Sequence, residues 1–281
     1  MILTLQCGVS GRAHNWLELS LHWNKHTGFA APFCQTHSEQ GTDKMKVLVL
    51  TGAGISAESG IPTFRGNDGL WEGHRIEQVA TISAFEQNPK LVHHFYNERR
   101  RDLQQQGIHP NAAHHALAEF EASHDDDFLL VTQNVDNLHF VAGSQNILPM
   151  HGQLLEARCV DTGKVIPWHD DLDINTPDPD TPSRRGRLRP NVVWFGEMPL
   201  GLETIERAAC QADLFLAIGT SAVVYPAAGI VRSSPHTCRR VEINLESTPQ
   251  SESFTETIRG TASVEVPKFL ASLAVKKTGL G

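Results

Sequence analysis

The residues best suited to chemistry in this sequence follow directly after short apolar runs. The first such segment, TGAGISAESGIPTFRG at 51–66, contains a GxGxxA turn formed by Gly52, Gly54 and Ala57. Glycines at these positions let a backbone approach a pyrophosphate at the N-terminus of a helix. Turns between strands and helices often contain glycine without binding anything, so this segment alone leaves a nucleotide site and a plain turn open.

Two later segments place polar side chains in a similar position. TQNVDNLH at 132–139 puts Gln133, Asn134 and Asp136 just beyond an apolar run, and MHG puts His151 just beyond another. In open α/β sheets, the carboxyl ends of the strands are where ligands bind. A polar turn that caps the next helix and a packed structural histidine are the alternatives. GTS at 219–221 is a third turn that could face a phosphate.

An acidic residue about 20 positions after the glycine turn binds the ribose in ordinary dinucleotide-binding folds. Asp68 lies at about that distance, but within the glycine-rich stretch GNDGLW and not at the end of a strand. Glu246, in INLE at the end of a late apolar run, is the better ribose partner.

The elements that must position these side chains alternate between strands and helices. Short apolar runs predict strands at 46–51, 127–132, 147–150, 191–195, 213–219 and 239–245. Helical patterns cover 88–106, 110–122, 202–211, 225–232 and 267–275. The alternation predicts an α/β fold with a mainly parallel sheet, where ligands bind beyond the carboxyl ends of the strands. Residues 160–190, rich in Pro, Asp and Arg, indicate an inserted loop or small module.

Composition narrows the class of protein and its surroundings. The 281 residues carry 24 basic and 32 acidic side chains, a net charge of −8, which argues against a nucleic-acid platform. No apolar run approaches the ~18 residues of a membrane span. Five scattered cysteines and no signal peptide predict reduced thiols in a cytoplasmic protein.

The domain limits are predicted from the same changes in pattern. Residues 1–44 lack sustained periodicity and are expected to form a poorly ordered extension, with Met45 as an alternative start. A catalytic domain is predicted over 45–275, with the small module at about 155–192 and a C-terminal tail at 276–281.

The helix containing FYNERRR carries an arginine where an apolar residue is expected. Val92, Tyr96, Arg99 and Leu103 fall on one stripe at about 100° per residue, whereas Arg100 and Arg101 are predicted to project into water. A charged group on an apolar stripe needs a partner. An internal salt bridge, a snorkelling stem and a bound ligand are the three possibilities.

Taken in order and spacing, GAGISAESGIPTFRG, TQNVDNLH, MHG, NVVWFGEMP, GTS and INLE resemble the sirtuins, which are NAD-dependent protein-lysine deacylases. The resemblance covers roughly residues 46–275 and is closest to class III, the bacterial CobB-type deacylases among them, through YNER and NVVWFGEMP. It implies a Rossmann-like domain and a smaller, usually zinc-bearing domain with the active site between them.

The resemblance also implies a role for each motif. The acyl oxygen of a modified lysine would attack C1′ of the nicotinamide ribose, and His151 would be the general base, with Asn134 and Asp136 orienting the ribose and amide. NAD would be held by residues from several separate segments: Gly52, Ala53, Gly54, Ser56, Ala57, Phe64, Arg65, Trp71, Gln133, Asn134, Val135, Asp136, Gly219, Thr220, Ser221, Asn244, Leu245, Glu246 and Ala262.

The substrate is expected to be an acylated protein. The backbones of Phe195–Gly196–Glu197 and of Val224, Tyr225 and Pro226 would pair with its peptide as an added strand. Tyr96 and Arg99 match the pair with which class III sirtuins read succinyl or malonyl groups, and an arginine fork suits a carboxylate. An ADP-ribosyltransferase and a non-catalytic NAD or ADP-ribose binding module are the alternatives, and His151 weighs against the module because a reader needs no base.

The zinc site of the family is incomplete in this sequence. Sirtuins usually bind structural zinc through two cysteine pairs. Here Cys159 stands with Thr162 at the partner position, and the segment that would supply the second pair, DINTPDPDTPSRRGRLRP, has no cysteine. His169, Asp170, Asp171 and Asp173 are interpreted as a solvated acidic loop. We therefore expect NAD as the cofactor and no zinc.

Overall fold

Strands and helices alternate along the chain in a computed structural model that describes residues 44–63, 70–71, 73–124, 127–221 and 227–278. The strands are β1 (Val47–Thr51), β2 (Leu70–Trp71), β3 (His74–Arg75), β4 (Phe128–Thr132), β5 (Ile147–Pro149), β6 (Gly152–Cys159), β7 (Val165–Pro167), β8 (Pro177–Asp178), β9 (Thr181–Arg185), β10 (Leu188–Val192), β11 (Leu214–Ile218), β12 (Arg239–Asn244) and β13 (Glu256–Arg259). The helices are α1 (Ile76–Val79), α2 (Ile82–Gln87), α3 (Pro89–Leu103), α4 (Ala112–Ala122), α5 (Leu138–Ala142), α6 (Leu202–Gln211), α7 (Ala227–Ser233) and α8 (Ala262–Thr278).

A six-stranded parallel sheet forms the centre, in the order β13-β12-β11-β1-β4-β5. All five residues of β1 and of β11 are buried. Strands covered on both faces read as continuous apolar runs, which is why VLVLT and LFLAI lack polar alternation. The parallel sheet predicted from the sequence is confirmed.

Helices cover both faces of this sheet. One core cluster joins Leu117 of α4 and Val266 of α8 to the sheet. The cluster on the opposite face contains Ile205 of α6 and Val231 of α7. Burying apolar side chains on both faces gives the three-layer arrangement typical of Rossmann-like domains.

The order of the strands creates a crevice beside β1. The chain runs outward from β1 to β4 and β5 in one direction, and from β11 to β12 and β13 in the other. Ligands of open α/β sheets bind at such a reversal, beyond the carboxyl ends of the strands. The glycine turn follows β1 and GTS follows β11, so both turns border this crevice.

The small module is antiparallel and contains strands that the sequence did not predict. β6 pairs with β10 and β7, and β8 pairs with β9 as a hairpin. The strand predicted at 191–195 is observed instead at Leu188–Val192, because the backbone leaves the sheet and Phe195 bridges to Thr81 near α2.

The prediction that Arg100 projects into water is wrong. Its side chain is fully buried, because the small module covers this side of α3. Arg100 Nε donates to Leu154 O at 3.1 Å, and Nη1 donates to Asn97 Oδ1 at 2.8 Å. Asn97 in turn bonds both backbone groups of Leu172. Arg101 is exposed, as predicted.

The predicted N-terminal extension lies outside the described residues except for Lys44. At the other end α8 continues to Thr278, past residue 276 where the tail was predicted to begin. In the described part of the chain, no helix combines the length and apolar character that crossing a membrane requires.

Candidate active site

The glycine turn packs directly against the end of β11. Gly54 N donates to Gly219 O at 2.8 Å, and a Cβ on Gly54 would lie 2.7 Å from Gly219 Cα. Glycine is therefore required here by protein packing as well as by any bound pyrophosphate. The turn continues as two short 3-10 helices, Ala53–Ile55 and Ala57–Ser59, and not as the α-helix that the motif indicates.

A hydrogen-bonded cluster of buried polar side chains lies next to this turn. Ser56 Oγ donates to Asp136 Oδ2 at 2.9 Å, and Asn134 Nδ2 donates to Ser56 Oγ at 3.1 Å. Leu138 N donates to the other carboxylate oxygen of Asp136 at 3.0 Å. Burial raises the pKa of Asp136, and the bonds from Leu138 and Ser56 oppose the rise. The sequence predicted these residues, and the structure brings three of them together.

His151 is held in one tautomer by the backbone of the neighbouring strand end. Its Nδ1 lies 2.9 Å from Gln133 O, and a carbonyl oxygen can only accept, so Nδ1 carries the proton. Nε2 is then the unprotonated, basic nitrogen. Burial lowers the pKa of His151, partly offset by the bond to Gln133, and this favours the neutral base.

Gly152, the last residue of MHG, brings β6 against β10. It has a φ of +80°, and a Cβ there would lie 2.0 Å from Asn191 O. Since no side chain fits, the two strands can close directly below His151. The side chain of Gln133 also connects strand ends, because Nε2 donates to Thr220 Oγ1 at 2.9 Å.

The residues expected to hold the adenosine half lie at the ends of β11 and β12. Asn244 Nδ2 donates to Thr220 O at 2.8 Å, which joins the two turns. Thr220 is buried, whereas Ser221, Leu245 and Glu246 are exposed beyond their strands. This position suits groups that contact a ligand lying across the sheet edge.

Glu58 makes contacts that the sequence pattern did not indicate. Its carboxylate accepts from Ser263 N at 2.9 Å and from Ser263 Oγ at 2.6 Å, in the first turn of α8. Ala262, a predicted cofactor residue, is the adjacent buried position. An acidic group near a helix N-terminus is favourable, and here it joins the glycine turn to α8.

The side chains predicted to read the acyl group lie on α3. Tyr96 is buried, and its hydroxyl accepts from Trp194 Nε1 at 3.0 Å. The Arg99 guanidinium lies 3.5 Å from the centre of the Phe95 ring, and Nη1 donates to Phe95 O at 2.7 Å. Arg99 Nη1 also lies 3.5 Å from Glu98 Oε2, so the internal salt bridge that the sequence left open is present, and the Arg99 side chain keeps 18% of its surface exposed.

The predicted peptide-pairing segment is partly used within the protein. Phe195 N donates to Ala80 O at 2.9 Å, and Glu197 N donates to Trp194 O at 2.9 Å. These two bonds occupy the backbone N–H groups of Phe195 and Glu197. Phe64, Arg65, Val224, Tyr225 and Pro226 lie outside the described residues, and of Trp71 only the backbone is described.

The small module shows no zinc-binding geometry. Cys159 is buried in an apolar cluster with Leu172 and Leu188. Arg184 Nη1 lies 3.7 Å from Cys159 Sγ, and 3.2 Å from Asp178 Oδ2. A guanidinium beside the thiol does not fit a divalent cation there. Over the described residues, no group of three or more His, Cys, Asp or Glu side chains could hold a metal ion. His169, Asp170, Asp171 and Asp173 therefore do not form such a group.

Comparison with known families agrees with this arrangement. The Sir2 family model matches residues 52–226, which include the glycine turn, the polar cluster, His151 and GTS. The chain belongs to the Sir2 family. It is a sirtuin in fold as well, with its Rossmann-like sheet and small antiparallel module.

Three related proteins illustrate the similarity. An NAD-dependent protein deacylase of Rhodopirellula baltica is 64% identical over 233 residues, covering 80% of this chain and 98% of the relative. A solved Sir2 homologue in complex with ADP-ribose is 35% identical, with a TM-score of 0.75, and covers 85% of this chain and 96% of its own. A Sir2 structure with a p53 peptide and NAD+ is 29% identical, with a TM-score of 0.65, and the match covers 84% of this chain and 94% of that structure's chain.

Proposed function

We propose that this sirtuin removes acetyl and succinyl or malonyl groups from protein lysine side chains, with NAD consumed in the reaction. The observation that carries the proposal is the position of a basic His151 Nε2 at the same sheet edge as the Asn134–Ser56–Asp136 cluster. Relatives of the chain are NAD-dependent protein deacylases. The products would be the free lysine, nicotinamide and an O-acyl-ADP-ribose.

Each polar side chain of the site has a task in this reaction. NAD supplies the ribose carbon that accepts the acyl oxygen as nicotinamide leaves. His151 Nε2 accepts the proton of a ribose hydroxyl, because its Nδ1 proton is already donated to Gln133 O. Asn134 and Asp136, fixed by Ser56, orient the ribose and the amide. The edge formed by Gly54, Gly219 and Asn244 holds the rest of the dinucleotide.

Arg99 and Tyr96 give this active site its preference for acidic acyl groups. A guanidinium can bind a carboxylate through two hydrogen bonds, whereas an acetyl group offers it no charged partner. Arg99 is partly buried on the same helix face as Tyr96, which strengthens its pairing with an anion. The substrate class is therefore an acylated protein, including one with a succinyl- or malonyl-lysine. We place the activity in the cytoplasm.

The small module holds together without zinc. Arg184 supplies a positive charge beside Cys159, Asp178 and Asp161, with its Nε 3.5 Å from Asp161 Oδ2. Arg187 binds the same Asp161 through Nε and Nη2. Ion pairs among these groups replace metal ligation at the tip of the module. Elemental analysis of the purified protein should give far less than one zinc per chain, and stoichiometric zinc would contradict this.

One assay separates the proposed reaction from its rivals. The purified chain is incubated with NAD and matched acetyl- or succinyl-lysine peptides, and the products are identified by mass spectrometry. O-acyl-ADP-ribose together with free lysine supports deacylation. ADP-ribosylated protein without that product would indicate a transferase, and the absence of turnover would indicate a binding module.

A further inference from the structure

Trp194 lies behind the side chain expected to read the acyl group. Its indole Nε1 donates to the Tyr96 hydroxyl at 3.0 Å, and both side chains are buried. An indole N–H can only donate, so the Tyr96 oxygen is the acceptor in this bond. The phenolic proton must then point away from Trp194. The bond therefore fixes both the position of the hydroxyl and the direction in which it can donate.

Trp194 is itself held by an ion pair below its ring. The Arg189 guanidinium carbon lies 3.4 Å from the ring centre, and Arg189 is buried. Arg189 Nη1 and Nη2 donate to the two carboxylate oxygens of Glu197 at 2.8 and 2.7 Å. Glu197 also accepts from Trp194 N at 2.8 Å and from Arg158 at 3.0 Å.

The Trp194 N–H bond is directed at the hydroxyl that is expected to read the acyl group. A bidentate Arg–carboxylate pair is planar and geometrically strict, so the ring stacked on it has little freedom to rotate. A buried indole N–H needs an acceptor in any case, and here that acceptor is the Tyr96 hydroxyl, so the fixed ring also fixes the hydroxyl. We infer that Trp194 is a positioning residue for acyl-chain selection, which orients the Tyr96 hydroxyl toward the distal carboxylate of succinyl- or malonyl-lysine. This inference rests on the acyl specificity proposed above.

The test is the ratio of kcat/KM for a succinyl peptide to that for the matched acetyl peptide. Trp194→Phe keeps an aromatic ring on Arg189 and removes the N–H. We expect the ratio to fall about tenfold, the effect of losing one buried neutral hydrogen bond. Trp168→Phe is the matched control, because the Trp168 Nε1 is buried without a hydrogen-bond partner among the described residues. The ratio should not change in this control.

A double-mutant cycle separates positioning from packing. In a Tyr96→Phe background there is no hydroxyl to orient, so Trp194→Phe should leave the ratio as Tyr96→Phe alone sets it. If Trp194→Phe does not fold, 3-benzothienylalanine at position 194 replaces the N–H by sulfur and keeps the bicyclic ring.

The outcomes distinguish this inference from the proposed function. Wild-type enzyme without any succinyl turnover would overturn the acyl specificity and this inference with it. Normal wild-type succinyl turnover together with an unchanged ratio in Trp194→Phe would overturn the inference alone. Equal losses on both acyl peptides would also overturn it, because they are the result expected of a purely structural tryptophan.

Discussion

His151 shows how a backbone contact can set the chemistry of a side chain. The bond from Nδ1 to Gln133 O selects the tautomer with a basic Nε2. We expect His151→Ala to lower kcat for deacylation by about 10²- to 10⁴-fold, the usual cost of losing a general base. Binding of NAD, measured by calorimetry, should be nearly unchanged. His115→Ala, at an exposed position on α4, is the control, and near-normal kcat in His151→Ala would exclude the proposed base.

Arg99 sets a second prediction at the scale of a single residue. Arg99→Met should cost desuccinylation roughly 2–4 kcal/mol of transition-state binding, because the carboxylate of the bound succinyl group loses its charged partner. The measured quantity is the ratio of kcat/KM for succinyl and acetyl peptides, which should fall. Arg101→Met removes an exposed charge from the same helix and serves as the control. Equal losses on both peptides in Arg99→Met would mean that Arg99 stabilises the fold.

At the scale of elements, the glycine turn can pack against the end of β11 only because Gly54 has no side chain. In Gly54→Ala the new Cβ would meet the backbone of Gly219, which cannot rotate away as a side chain can. We expect a loss of about 1–3 kcal/mol in the free energy of unfolding and a raised KM for NAD. Gly107→Ala, at an open turn with φ of +107°, should cost backbone strain only and leave KM unchanged. An unchanged KM in folded Gly54→Ala would show that the turn does not hold NAD.

In the small module, the β8–β9 hairpin is joined to its surroundings through Arg184. Arg184→Met removes the charge shared by Cys159, Asp178 and Asp161, so the β8–β9 hairpin should open more often. The expected result is faster reaction of Cys159 with a thiol reagent, with no recovery on adding zinc. Lys164→Met, which breaks an exposed pair with Asp180, should leave that rate unchanged. Slow, unaltered labelling in Arg184→Met would contradict the proposed role of the ion pairs.

For the molecule as a whole, buried histidines couple stability to pH. Burial lowers the pKa of His93 and of His114 to about 4, and that of His139 to about 3. The Asn111 backbone N–H donates to His114 Nδ1 at 3.3 Å. This bond requires His114 Nδ1 to be unprotonated. The unfolded chain binds these protons near pH 6.5, so acid favours unfolding between that pH and the lowered pKa values.

We therefore expect the free energy of unfolding to fall between pH 7.5 and pH 5.5 by roughly 1 kcal/mol for each of these histidines. Urea denaturation at the two pH values measures it. His114→Gln should remove roughly 1 kcal/mol of this dependence, the contribution of one such histidine. A stability that does not change over this range would show that these histidines are protonated in the folded protein.

The sequence alone determined the sheet and the place of the site. Continuous apolar runs such as VLVLT indicate strands that helices cover on both faces, and VLVLT is buried throughout. Each chemical motif follows such a run. Since strand ends meet at one edge, the clustering of Asn134, His151 and Thr220 there was predictable from local pattern. The strands of the small module were not predictable from local pattern, because short polar segments such as TPSRR form strands only beside their pairing partners.

Only the tertiary structure decided how the arginines are used. Arg99, Arg100 and Arg101 are adjacent in sequence and identical in type, yet one borders the proposed acyl site, one is fully buried and one is exposed. Helical periodicity gives the direction of each side chain but not what covers it, and the small module covers Arg100. The bonds from Trp194 to Tyr96 and from Ser263 to Glu58 join residues far apart in sequence. Such contacts depend on how separate elements pack, and no local pattern records them.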